Sequence, residues 1–292
     1  MSNIKPCLWF DDNAEAAARL YTSLFDGSSI KAVTKYSNES SRVSGRPNGS
    51  VMTVLFELAG QEFLGLNGGP VYKLTPAVSM FVACESDEEI ERLFAKLSAG
   101  KVLMPLQEYP FAKKYAWVED EFGLSWQLMA AERDQKITPC LLFTGTNKGK
   151  AAEAMKFYTS LFPNSEIDFA AQFPAGEGAD GMLARGEFTI DGYTLAASDS
   201  PIEHDFNITS AVSFIVGCQS QAEIDKYWRA LLANGGAEQR CGWLTDKYDV
   251  AWQVVPHGLE HILNSNDKSK SRRATEALMK MVKIDIAALQ NA

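Results

Sequence analysis

Five cysteines, Cys7, Cys84, Cys140, Cys218 and Cys241, are the most reactive side chains in the sequence. A nucleophilic thiol needs a neighbouring base or cation to hold it as thiolate. No such partner stands at motif spacing from any of the five, so they read as buried structural thiols. Their odd number, without a Cys-x-x-Cys, also argues against a disulfide framework or a structural zinc. His257-Gly-Leu-Glu-His261 matches the HxxEH pattern of some zinc peptidases. That chemistry requires an unbroken helix, whereas Pro256 precedes this segment and Gly258 interrupts it, so a solvated surface helix is expected. His204 reads as a polar loop residue. Glu57 and Glu62 flank one tight turn, Glu187 and Asp191 another; each becomes a general base only if it points inward and loses its water. Trp9, Trp117 and Trp243 are candidates for stacking on a planar ligand, while Trp126 and Trp252 read as core.

The elements that must position these residues come in two copies. Ile4-Lys-Pro-Cys-Leu8 returns as Ile137-Thr-Pro-Cys-Leu141, and Tyr21-Thr-Ser-Leu-Phe25 returns as Tyr158-Thr-Ser-Leu-Phe162. The extra residues of the second copy fall in Thr144–Lys150, a Gly-rich strand-to-helix turn where insertions are tolerated. Ala17, Leu20, Tyr21 and Leu24 form an apolar helical stripe, matched by Ala154, Phe157, Tyr158 and Leu161. A second helix, with Ile90, Leu93, Phe94 and Leu97, recurs with Ile224, Tyr227, Trp228 and Leu231. Strand alternation in Val78–Cys84 recurs in Val212–Cys218, and Gly60 and Gly192 mark hairpins. Each copy therefore reads as βαβββ followed by βαβββ, with two half-units enclosing a pocket. The polar stretch Ser37–Ser50, with Arg46, Pro47 and Asn48, reads as a long loop, either a lid or disordered. Beyond Asn264 a basic start, Lys268–Arg273, leads into Ala277, Leu278, Met281, Val282, Ile284 and Leu289, read as a docked terminal helix.

Asp120-Glu-Phe-Gly-Leu-Ser-Trp-Gln127, Asp246-Lys-Tyr-Asp-Val-Ala-Trp-Gln253, Ala211-Val-Ser-Phe-Ile-Val216 and Cys241-Gly-Trp-Leu244 resemble the PhnB-like family. That family is also catalogued as 3-demethylubiquinone-9 3-methyltransferase-like and belongs to the vicinal oxygen chelate (glyoxalase-like) superfamily. The resemblance runs over nearly the whole chain twice. It implies an α+β fold of tandem glyoxalase-like domains, 1–133 and 134–266, followed by a C-terminal helical tail, 267–292. Each domain would be paired βαβββ modules forming a curved mixed sheet around a cavity. Asp249 departs from the family's glycine, retained at Gly123; an Asp can adopt the left-handed turn at modest cost.

The resemblance assigns Lys5, Cys7 and Trp9 to the concave face. By alternation Thr138, Cys140 and Leu142 join them, with Ala77, Ser79, Phe81 and Ala83, and with Ala211, Ser213 and Ile215. Glyoxalase-like relatives hold a divalent metal through a His at the start of a module's first strand and a Glu near the end of its last. Here those positions fall at Lys5, Thr138, Ala77 and Ala211, and at Gln127 and Gln253, with Asn67 and Asp199 as first-module counterparts. Only Asp199 keeps a carboxylate, so neither a metal centre nor another cofactor is expected. The ligand-binding set implied is Cys7, Trp9, Asn67, Gln127, Cys140, Asp199, Trp243 and Gln253. Copy two, with both Asp199 and Cys241-Gly-Trp243, is the first place to look.

At 292 residues and 46% hydrophobic the chain can bury two cores. A net charge of -9 disfavours nucleic acid and anionic membrane as partners. No basic-then-apolar leader and no apolar run of spanning length occur, so a cytoplasmic protein is expected. The leading functional expectation is binding of a small apolar or aromatic molecule without chemistry. An enzyme of the superfamily, with lyase, isomerase or dioxygenase-like activity, is the alternative. The methyltransferase of the family's catalogue name would need a Gly-rich turn opening a helix, which Gly176-Glu-Gly178 does not supply. A partner-binding role, as a homodimer or an internal pseudo-dimer, stays open.

Overall fold

The structure is a computed structural model that describes residues 2–174, 176, 179–263 and 267–292; Glu177, Gly178 and 264–266 lie outside the described residues. The first module holds β1 (Ile4–Phe10), α1 (Ala14–Leu24), β2 (Ser29–Lys35), α2 (Asn38–Ser44), β3 (Val51–Leu58) and β4 (Gln61–Asn67). The second holds β5 (Val78–Cys84), α3 (Asp87–Leu97), β6 (Lys101–Tyr109), β7 (Ala112–Glu119) and β8 (Ser125–Ala130). The second copy repeats this order. Its first module is β9 (Ile137–Phe143), α4 (Ala151–Leu161), β10 (Glu166–Gln172), β11 (Leu183–Ile190) and β12 (Tyr193–Asp199). Its second is β13 (Val212–Cys218), α5 (Gln221–Leu232), β14 (Ala237–Glu238), β15 (Trp243–Thr245) and β16 (Ala251–Pro256). The apolar periods read from the sequence thus become tandem βαβββ modules.

The modules pair across the copies. One eight-stranded mixed sheet runs β14-β15-β16-β13-β1-β4-β3-β2, and the other runs β10-β11-β12-β9-β5-β8-β7-β6. Each sheet takes one module from each copy, so the expected pairing of the two half-units of one copy is replaced by pairing of half-units between copies. Antiparallel ladders close the exchange. Cys7 lies opposite Ser213 where β1 meets β13, and Ser79 opposite Cys140 where β5 meets β9.

Within a copy the two modules are held by packing instead. The Tyr21 hydroxyl of α1 donates to Asp120 at 2.7 Å, as does the Trp126 indole at 2.9 Å. The second copy repeats the clamp, with Tyr158 and Trp252 donating to Asp246 at 2.7 and 2.9 Å. Both carboxylates also accept two backbone N–H groups of their own turn. Trp126 and Trp252 are fully buried as expected, in one continuous core. Gly123 and Asp249 take φ of +86° and +65° in matching turns, so the left-handed backbone expected of Asp249 is found.

Two local expectations are corrected. Ser37–Ser50 is not a structureless loop, because α2 forms over Asn38–Ser44. The Ser37 hydroxyl accepts from the Ser40 N–H, Ser40 returns the bond, and Gly45 closes the helix in left-handed conformation. The tail is broken into α6 (Leu259–Leu263), α7 (Lys268–Leu278) and α8 (Ile286–Gln290). The irregular stretch between α7 and α8 has a structural job. Hairpin β6–β7 has strands of nine and eight residues, but β14 and β15 have only two and three. Tail residues stand in for the missing strand: the Cys241 and Gly242 N–H groups donate to Met281 and Val282 carbonyls, both at 2.8 Å. Gly242 is required there, since its φ is +82° and a Cβ would meet the Val254 oxygen at 2.8 Å and Ile284 at 2.9 Å.

Candidate functional site

Helices cover one face of each sheet, so chemistry is left to the concave face, and alternation decides which residues reach it. In the second sheet one cross-strand row reads Thr189, Thr194, Thr138, Phe81, Gln127, Trp117 and Met104. The adjoining row carries Glu187, Ala196, Cys140, Ser79 and Ser125. The rows are tied together: Gln127 Nε2 donates to Ser79 Oγ at 2.7 Å, and the hydroxyl of Tyr115, on β7, donates to Gln127 Oε1 at 2.8 Å. The Trp117 indole donates to Ser125 at 2.6 Å. At the copy-two end, Arg133 and Arg185 both donate to Glu187, Arg185 at 3.0 Å. Their guanidiniums lie 4.8 and 5.2 Å from the Phe81 ring centre.

The first sheet presents different chemistry on the same scaffold. Positions equivalent to Arg185 and Glu187 are Thr53 and Leu55, and Leu55 pairs with Leu64, which pairs with Cys7. Leu55, Leu64 and Leu66 are half-buried, facing no helix. Trp9 packs edge-on to Tyr72 and to Trp243, at 5.0 and 6.0 Å between centres. The Trp9 indole is pinned by donation to the Gly69 carbonyl at 2.7 Å. Gly68 lies against that ring, which any Cβ at this position would run into. Gln253, paired with Trp243, donates to Ser213 at 3.0 Å beside the Cys7 thiol. Lys5 and Glu62 form an ion pair of 2.9 Å on the same face.

Six of the eight residues in the expected ligand set therefore lie on concave faces: Cys7, Trp9, Trp243 and Gln253 in the first sheet, Gln127 and Cys140 in the second. Asn67 and Asp199 do not, and their placement is a correction. Asn13 and Lys150, at the starts of α1 and α4, make no side-chain cap, so each helix imports one from the end of a strand. Asn67 Oδ1 accepts the Ala14 N–H at 2.8 Å. Asp199 accepts Gly149, Ala151 and Leu183 N–H groups at 2.8, 3.2 and 2.8 Å, favoured also by the positive end of α4. Asp199 is thus occupied by backbone. Asp199 and Trp243, which made copy two the first place to look, belong to different sheets.

Burial raises the thiols, Cys7 to about 11 and Cys140 to about 12, so both are neutral and neither is a ready nucleophile. Of the turn carboxylates, Glu62 pairs with Lys5, Glu57 with Lys31, and Asp191 accepts from Asn3. Glu187 alone of these four is buried on a concave face. His204 hydrogen-bonds Ser200 in a loop at 2.7 Å, and His261 is exposed on the single turn of α6. A cavity of about 690 Å³ opens elsewhere, between α2 and the tail, where Glu39, Arg42, Arg240, Glu276 and Lys280 mix both signs of charge.

The family model described as 3-demethylubiquinone-9 3-methyltransferase matches residues 2–129 and again 135–255. The chain belongs to that family. A solved relative, the putative 3-demethylubiquinone-9 3-methyltransferase PhnB protein of Bacillus cereus, is 41% identical over 44% of this chain and 98% of its own, with a TM-score of 0.40. A point mutant of glyoxalase I from Zea mays matches 85% of this chain and 91% of its own at 11% identity and a TM-score of 0.57, a likeness of fold alone. No curated protein matches.

Membership in the 3-demethylubiquinone-9 3-methyltransferase family, and its glyoxalase-like fold, raise two groups to test against these residues. A divalent metal would sit across the row Lys5, Glu62, Ile215, Gln253 or the row Thr138, Thr194, Phe81, Gln127. The register corrects the expected positions, putting Ile215, Phe81, Glu62 and Thr194 where Ala211, Ala77, Asn67 and Asp199 were expected. An ammonium, an isoleucine and a phenylalanine stand there, the Glu62 carboxylate is taken by Lys5 at 2.9 Å, and the amides are poor donors, so neither row fits such an ion. Among the described residues no three His, Cys, Asp or Glu side chains gather. An adenosyl methyl donor would call for open backbone N–H groups where a first strand turns into its helix. Asn67 and Asp199 already fill those turns, so that group does not fit either.

Proposed function

We propose that this member of the family is a small-molecule binding protein whose first sheet takes an uncharged apolar or aromatic ligand. The observation that carries this is the half-buried run Leu55, Leu64 and Leu66 on the same sheet face as the Trp9–Tyr72–Trp243 cluster, with Leu66 paired beside Trp9. Apolar side chains left partly in water on a concave face gain by covering, at roughly 25 cal/mol per Å². Rings held edge to edge, with the Trp9 indole already bonded, form a wall that loses little freedom when a planar ligand slides against it. The neutral thiol of Cys7 and the Gln253 amide supply a mildly polar floor that orients without reacting.

The uncharged fluorescent probe N-phenyl-1-naphthylamine tests this. It should brighten on binding the wild type, and Leu64→Glu, which puts a carboxylate among the leucines at a half-exposed position, should weaken binding at least tenfold. Unchanged binding in that variant, with its melting temperature retained, would place the ligand elsewhere.

A further inference from the structure

We infer that the concave face of the second sheet is a separate site for an aromatic or otherwise planar acid, whose anionic group is held by Arg185 with Arg133. Two guanidiniums and one carboxylate meet there, so the cluster keeps one positive charge after Glu187 is paired. The cluster is sheltered: side-chain exposure is 10% for Glu187, 19% for Arg133 and 36% for Arg185. The carboxylate cannot serve all the donors around it. A guanidinium has five N–H groups, and among the described residues those of both arginines are directed to Glu187 alone. Arg185 is the more open of the two, and its planar fork suits a carboxylate.

A second feature points the same way. The Thr138 hydroxyl, on the row with Phe81, is buried and has no hydrogen-bond partner among the described residues. A buried hydroxyl without a partner is costly, and a bound acceptor would relieve it. Phe81 lies buried beneath the two guanidiniums and fixes them in place, and the planar part of the ligand has its surface in the exposed ring of Phe169, whose centre is 6.0 Å from the Arg185 guanidinium. Ala196 and Ala83 keep the neighbouring floor low. The first sheet has none of this, since Thr53 and Leu55 replace Arg185 and Glu187. The two faces are therefore different sites for different ligands.

Calorimetric titration with 1-naphthoate and with its neutral isostere 1-naphthamide decides the matter on the full chain. Wild type should bind naphthoate at least tenfold more tightly than naphthamide, more weakly as salt rises. Arg185→Gln should bring the two affinities together, and Arg185→Lys should restore part of the preference. Arg133 still holds Glu187 in both variants, and equal melting temperatures confirm the fold. Leu64→Glu should leave naphthoate binding unchanged, which separates this site from the one on the first sheet. Equal affinities in the wild type, a preference that survives Arg185→Gln, or no naphthoate binding at millimolar concentration each overturns the inference. None of these touches the apolar-probe result on the first sheet.

Discussion

Cys140 lies in the field of Arg185 and Arg133, which favours its thiolate, and of Glu187, which opposes it. Burial outweighs both and sets the thiol at about 12, so at pH 8 roughly one molecule in ten thousand carries the thiolate. Iodoacetamide at pH 8 should therefore label Cys140 far more slowly than a free thiol, and Glu187→Gln should speed it. Labelling at the rate of a model thiol would show that the burial effect is overstated. At this scale the sequence is a good guide to direction and a poor one to partnership. Strand alternation says which residues share a face, because period 2 is fixed by the backbone, and the family resemblance says which face is concave; together they put Cys7, Trp9, Gln127, Cys140 and Gln253 there. Neither could say that Asn67 and Asp199 would turn to helix ends, since the missing caps lie some fifty residues earlier in the chain. Arg133 and Arg185 were passed over. Comparing the copies position by position would have exposed Arg185 and Glu187 against Thr53 and Leu55, but Arg133 sits between the copies and has no counterpart to contrast.

Helix α4 and the β15–β16 turn are joined by a single carboxylate, Asp246, with four donors around it. Burial holds Asp246 at about 6, above its value in an unfolded chain near 3.8. Between those values the folded chain binds a proton that the unfolded chain does not, so this group makes stability rise as pH falls from about 6 to 4. The contribution is on the order of 2–3 kcal/mol. Asp246→Asn removes that slope and turns an amide N–H₂ toward the Trp252 N–H, at a cost of about 1–3 kcal/mol. Denaturation midpoints at pH 4.5 and 7 should show a larger deficit for the variant at the lower pH; parallel profiles would refute the assignment. The elements themselves were mostly legible, because amphipathic stripes and hairpin glycines repeat. Helix α2 was not, since six polar residues and the lone Val43 carry no apolar period and its stability comes from its caps and from contact with α7. The break in the tail was missed because Met281 and Val282 are placed by the short β14–β15 hairpin, a deficit elsewhere in the chain.

Which modules share a sheet is settled only in the whole molecule. Every strand keeps the same faces whether it pairs within its copy or across copies, so no local pattern distinguishes the two arrangements. The exchange makes a sharp prediction for the chain cut between its copies. Fragments 1–133 and 134–292 made together should elute as one species of full-length size. Each made alone should aggregate, stay unfolded or pair with itself, since β1 with β5, or β9 with β13, would be left as bare edges. Two folded monomeric halves by size exclusion would contradict the pairing. Each cavity also needs both copies. In a dimer of two identical single-copy chains, a twofold axis would force its two cavities to stay alike, and every mutation would strike both. Joining the copies in one gene removes that constraint: Arg185 and Glu187 can change without Thr53 and Leu55. With both copies in one chain, the two concave faces are free to differ, and they do: one carries leucines and tryptophans where the other carries Arg185, Glu187 and Arg133.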